Sequence, residues 1–131
     1  MDQDSLVIEE IDAGAKLVCE FDKYRSVAAA FWLKVGDAEQ RYLYIASDKI
    51  DDTNLRESYG EILRLTETMR SPYLDPFRVK LIGAENPLAK AAAVINKRFP
   101  GRMATSLRRK SFGGISVDDA YIYPSPLLVS A

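Results

Sequence analysis

The 131-residue chain contains no histidine and only one cysteine, Cys19. Without histidine, Ser-His-Asp and Cys-His nucleophile systems are excluded, and so is every His-ligated zinc or iron site. A single cysteine excludes an intrachain disulfide and a zinc ribbon. The side chain that most readily changes charge near neutral pH is also missing. The longest apolar run, Val27 to Leu33, is seven residues, against about twenty for a helix that crosses a bilayer. The first residues, Met1-Asp2-Gln3-Asp4, are acidic, where a signal peptide is basic and then apolar. The expectation is a soluble cytoplasmic protein with no membrane partner and no cofactor.

What remains is an ordinary globular mixture, 47% apolar and 28% charged, with 7 Gly and 6 Pro. A chain of this length buries roughly two thirds of its unfolded surface without metal or disulfide. One domain spanning 1–131 is expected, ordered over about 5–124, with 125–131 a loose or partner-docked tail.

The net charge of −1 hides a polarity. Residues 1–85 hold 17 acids and 11 bases, net −6, and residues 86–131 hold 2 acids and 7 bases, net +5. No acid falls between Asn86 and Val117, where Lys90, Lys97, Arg98, Arg102, Arg108, Arg109 and Lys110 lie. Such asymmetry marks a face for phosphate or an acidic partner. It is equally satisfied by a solvated face, or by a basic segment folded against the acidic first helix.

Hydrophobic spacing gives the elements. Residues 5 to about 24 read as a helix capped near Ser5, with Val7, Ile11, Val18 and Phe21 near one stripe, Ala15 beside it and Cys19 at its edge. Flanking acids balance Lys16 and Lys23, so Cys19 is expected to be packed and inert. Residues 27–35 and 41–47 read as an antiparallel strand pair across a short loop, apolar on both faces and therefore covered on both sides. Asp51-Asp52-Thr53-Asn54 opens a second helix, with Asn54 and Glu57 at capping-box spacing. Leu55, Tyr59, Ile62, Thr66 and Met69 form its stripe, with Leu63 beside them. Gly60 costs about 1 kcal/mol there against Ala and is expected to admit a close neighbour. Ser71-Pro72 ends this helix and Asp75-Pro76 makes a turn. A strand at 79–83 follows, then a helix capped by Asn86 and Pro87 and ended by Pro100-Gly101. Two strand-like runs, 103–112 and 115–123, flank Gly113-Gly114. The sum is an α+β domain of order αββαβαββ, with three helices and a five-stranded mixed, mostly antiparallel sheet.

Few constellations carry chemistry. A carboxylate-only magnesium site of a phosphoesterase is one enzymatic option, with Asp118, Asp119, Asp51 and Asp52 as donors. Adjacent carboxylates on a strand point to opposite faces. A bulge explains Asp118-Asp119 and helix capping explains Asp51-Asp52 more simply. The acid-x-Lys strand of metal nucleases is missing, because Arg78-Val79-Lys80 puts Arg where the acid belongs. Gly83 to Pro87 joins a strand to a helix start but lacks a Gly-rich phosphate cradle and its Lys-Ser/Thr pair. No metal site is expected.

The aromatics are more informative. Trp32, Tyr42, Tyr44, Tyr121 and Tyr123 all fall on strands, each tyrosine pair sharing one face of its own strand. If those strands were neighbours, a Tyr-rich face would adjoin Arg108-Arg109-Lys110. Stacking aromatics beside cations suit single-stranded nucleic acid, and tyrosines suit a subunit interface or a covered core equally well. The sequence favours a non-catalytic binding module that self-associates as a homodimer. The alternatives are nucleic-acid or acidic-partner binding through the basic 90–110 segment, and the magnesium phosphoesterase. The candidate binding set is Trp32, Tyr42, Tyr44, Tyr121, Tyr123, Arg102, Arg108, Arg109 and Lys110.

Overall fold

The computed structural model describes residues 8–35, 41–98, 105–112 and 115–123, with side chains for 8–34, 41–94 and 120–123. The elements are α1 (Ile8–Tyr24), β1 (Ala29–Val35), β2 (Tyr42–Ser47), α2 (Leu55–Met69), a 3₁₀ turn (Pro76–Arg78), β3 (Val79–Gly83), α3 (Pro87–Arg98), β4 (Thr105–Phe112) and β5 (Ile115–Ile122). This is an α+β fold with three helices and a mixed sheet, the class that the hydrophobic spacing predicts. The strands stand side by side in the order β3-β2-β1-β5-β4. The β1–β2, β1–β5 and β4–β5 pairs are antiparallel. Only β2 and β3 are parallel, because α2 crosses over between them. The expected cap at Ser5, the 36–40 loop, Arg102, the Gly113-Gly114 turn and the 125–131 tail lie outside the described residues.

Alternation along the strands builds two apolar layers. Ala30, Trp32, Leu43, Ile45, Val79, Leu81 and Tyr123 meet Leu17, Val18 and Phe21 of α1 and Ile62 and Leu65 of α2. On the other face Ala29, Phe31, Leu33, Ala46, Ala120 and Ile122 meet Leu88, Ala89 and Ala92 of α3. This is why both central strands are apolar on both sides. Phe21, Phe31, Leu17, Leu33, Leu43 and Ile45 are fully buried, each contributing about 1.5–3 kcal/mol of transfer free energy.

A polar chain ties the sheet to α1. The Trp32 indole N–H donates to Tyr123 Oη at 2.9 Å, and that hydroxyl donates to the Ile11 carbonyl at 2.6 Å. Gly14 makes the approach possible, since a Cβ there would collide with Tyr123 Oη and lie 3.1 Å from the Trp32 ring nitrogen. Among the described residues no buried side-chain polar atom lacks a partner.

Two local expectations are corrected. Nothing lies within 4 Å of a Cβ built at Gly60, because that residue is on the solvent side of α2. Asn54 does not form the capping box. Its side chain turns back into the preceding loop, accepting from Asp51 N–H at 3.0 Å and donating to the Lys49 carbonyl at 2.7 Å. By contrast, Asn86 caps α3 as expected, accepting from Leu88 N–H at 2.8 Å.

Candidate interaction surface

The tyrosine pairs do not share a face. Phe31 is the register partner of both Tyr44 and Ile122, and Trp32 is that of both Leu43 and Tyr121. With a period of two, Tyr42 and Tyr44 therefore stand on the α3 side, and Tyr121 and Tyr123 on the α1 side. β1 also separates the two strands. Tyr123 is buried at 3% exposure beside Trp32 at 2%, and burial pushes its phenol far above the ordinary tyrosine value. These two residues belong to the core. Tyr121 is half-buried against the same layer, its ring edge-on to Tyr123 at 5.3 Å.

Tyr42 and Tyr44 are placed differently. Tyr44 stacks on Phe31 with ring centroids 5.4 Å apart. Burial, with Tyr42 and Tyr59 adding, raises its phenol above the usual value. The Lys80 ammonium lies 4.7 Å from the Tyr42 ring centroid, a cation–π contact. Both tyrosines are only half-buried and Lys80 is exposed. α3 is short and meets the sheet through Leu88, Ala89 and Ala92.

Lys80 continues this surface around the β3 edge. It lines a groove of about 440 Å³ together with Tyr59, Leu63, Pro76, Phe77 and Val79. Beside the groove Phe77 is 83% exposed and Leu63 50% exposed. Phe77 projects because Asp75 and Pro76 open the 3₁₀ turn, with the Asp75 carboxylate accepting from Phe77 N–H at 2.9 Å. The sequence reading missed Phe77, and the only signal available was its place between a Pro turn and a strand. Leu63 was legible as a residue beside the α2 stripe rather than on it.

Two outward backbone donors of the β3 edge are occupied. Leu81 N–H donates to Tyr59 Oη at 3.0 Å, and Val79 N–H donates to the Pro76 carbonyl. These alternate residues hold the donors turned away from β2, so an added strand would find them taken.

The basic candidates lie at the opposite edge. Arg108, Arg109 and Lys110 are in β4, the terminal strand, in register with β5 so that Arg108 is opposite Asp119 and Lys110 opposite Val117. Their backbone alone is described. Lys90 is drawn into an ion pair with Glu85 at 3.2 Å. The β1–β5 register jumps from Lys34–Asp119 to Val35–Val117, leaving Asp118 as the extra residue of a bulge, as the local pattern suggests.

Elsewhere the chemistry is structural. Asp51 accepts from the Thr53 amide at 2.8 Å and from its hydroxyl at 2.5 Å, which holds its carboxyl below the usual range. Burial, then Asp22 and Glu20, push the Cys19 thiol up, away from the thiolate that a nucleophile needs. Arg25 bridges the helices, donating to the buried Ser58 hydroxyl at 3.0 Å and to Tyr24 Oη at 3.2 Å. Among the described residues no three Cys, Asp or Glu side chains converge on a metal position, and no helix is long and apolar enough to cross a membrane. Compared with known proteins, the chain matches no family model, and neither a curated protein nor a solved structure is found to resemble it.

Proposed function

We propose that this chain is a non-catalytic interaction module that pairs with a second copy through the corner formed by α2, the 3₁₀ turn and β3. The observation that carries this reading is the 83% exposure of Phe77 beside a groove of about 440 Å³. An exposed large apolar side chain next to an apolar hollow is a marker of protein association. Knob and hole lie on one patch, which suits a two-fold interface where each copy supplies both. Phe77 of one copy fills the Tyr59–Leu63–Val79 groove of the other. Charges of both signs flank Phe77, Asp75 before it and Arg78 and Lys80 after it. The half-buried Tyr42 and Tyr44 adjoin the patch through Lys80 and extend the covered area.

The corner favours a protein partner over single-stranded nucleic acid. Tyr121, Tyr123 and Trp32 pack on the α1 side, and Tyr42 and Tyr44 are on a strand separated from β4 by β1 and β5. Of the five strand aromatics only Tyr121 is in register with β4, opposite Ser106, so the set forms no single platform beside Arg108-Arg109-Lys110. Sedimentation equilibrium at tens of micromolar, in the range where interfaces of standard size are populated, tests the proposal. A concentration-dependent rise from the chain mass of 14.7 kDa towards twice that value supports it. A strict monomer removes it.

A further inference from the structure

We propose a second docking site, independent of the corner: the outer edge of β4, the terminal strand of the sheet, accepts an extended acidic segment of another protein as an added sixth strand. Three observations converge on this edge. First, the two sheet edges differ in backbone chemistry. At β3 the outward donors of Val79 and Leu81 are taken by Pro76 and Tyr59, which works against strand addition there. At β4 an eight-residue strand, Thr105–Phe112, has β5 as its only sheet neighbour among the described residues. An edge strand offers its unpaired backbone groups to a new strand.

Second, the charge on that strand is of one sign. Arg108, Arg109 and Lys110 are consecutive, and the strand contains no acid. Across the ladder, Asp119 stands at the register position of Arg108, while Lys110 is opposite Val117. Asp119 is also the register partner of Lys34 on β1. Charge complementary to these three cations is what an added acidic strand supplies.

Third, the charge pattern selects the occupant. Arg108 and Arg109 straddle the middle of β4, so antiparallel pairing of two copies about a two-fold axis sets cation opposite cation, which is unfavourable. A second copy is thus disfavoured here, in contrast to the corner. An acidic extended peptide satisfies both the backbone and the charge. Nucleic acid satisfies only the charge, because it cannot extend the backbone ladder of β4.

The test uses the full chain and three fluorescent probes: an octapeptide of alternating Glu and Val, its Lys–Val counterpart, and a single-stranded oligonucleotide. The Glu–Val peptide is expected to bind and to slow amide exchange across β4 while leaving β3 unchanged. Its affinity should fall by about tenfold between low and physiological salt. The double variant Arg109→Glu, Lys110→Glu should weaken that peptide by about tenfold or more and gain binding to the Lys–Val peptide. The exchange pattern of the wild-type chain decides the matter even if the variant folds poorly. The proposal is overturned if the Glu–Val peptide does not bind, whether or not the oligonucleotide does. It is equally overturned if the peptide binds without slowing β4 amides, or if those amides are protected by chain concentration alone.

Discussion

At the β3 edge, Tyr59 and Pro76 close the backbone donors while apolar side chains, Phe77 and Leu63, stand in solvent. At the β4 edge the strand is long and carries three consecutive cations, with one strand beside it among the described residues. A sheet edge must be protected against indiscriminate pairing either by occupying its hydrogen bonds or by charging its side chains. This chain uses one device at each end. The difference teaches where selectivity would reside on the proposed reading: in side-chain shape at β3, and in backbone plus charge at β4.

The largest effect that separates the edges is expected from Phe77→Asp. If Phe77 is the anchor of the paired corner, its loss costs about 2 kcal/mol or more of association, some thirtyfold in dissociation constant. Because Phe77 is exposed, the melting temperature of the isolated chain should stay within about a degree or two, as for most surface changes. Peptide binding at β4 should not change, and if both activities fall together the edges are not independent.

Next in size is Tyr123→Phe, which probes how the β4 side of the sheet is held. Tyr123 follows β5 directly and hooks that strand to α1 through Ile11 and Trp32. Removing its hydroxyl leaves the buried Trp32 N–H without its partner, a cost of about 1–3 kcal/mol by chemical denaturation. The same group sets an alkaline limit. Its folded pKa is raised by burial above an unfolded value of about 10, so its contribution is complete below that pH and is lost as pH rises towards the folded value. Tyr123→Phe should flatten the fall in stability above pH 10, and an unchanged alkaline limb would show that other tyrosines set it.

Smaller again is Tyr59→Phe, which reopens the β3 edge. Loss of the bond to Leu81 N–H should cost about 1 kcal/mol and speed exchange of that amide. If Tyr59 is what bars strand addition at β3, the variant should also begin to aggregate or to bind extended peptides there. The smallest change is Gly60→Ala, on the open side of α2. With no neighbour in reach, it should stabilise by about 0.5–1 kcal/mol and leave both edges unaltered. A destabilisation would place an undetected contact on that face.

Much of this architecture was legible because hydrophobic period is a local signal. The double-sided apolar pattern of 29–35 and 42–47 announced strands covered on both faces, and Asn86-Pro87 announced the start of α3. Register was not legible. Whether Tyr121 aligns with Trp32 or with Phe31 depends on the β1–β5 pairing, and a slip of one residue transfers every side chain to the other face. That is why four tyrosines that alternate alike on their strands divide between core and rim. Gly60 and Gly14 teach a related lesson. Both sit inside helices, yet the one expected to admit a neighbour has none, while Gly14 receives Tyr123 Oη, a contact set by a residue more than a hundred positions away. Phe77 was hidden for a different reason: isolated in a turn, it belongs to no periodic stripe, and its exposure follows from the Asp75 cap alone.

The most direct measurement is sedimentation equilibrium of the wild-type chain and Phe77→Asp side by side, over about 1–100 μM, which brackets interfaces of standard size and modest affinity. The wild type should move from 14.7 kDa towards twice that mass across the series, while Phe77→Asp stays at the single-chain mass throughout. A wild type that remains single at every concentration, or a variant that associates as the wild type does, contradicts pairing through the β3 corner.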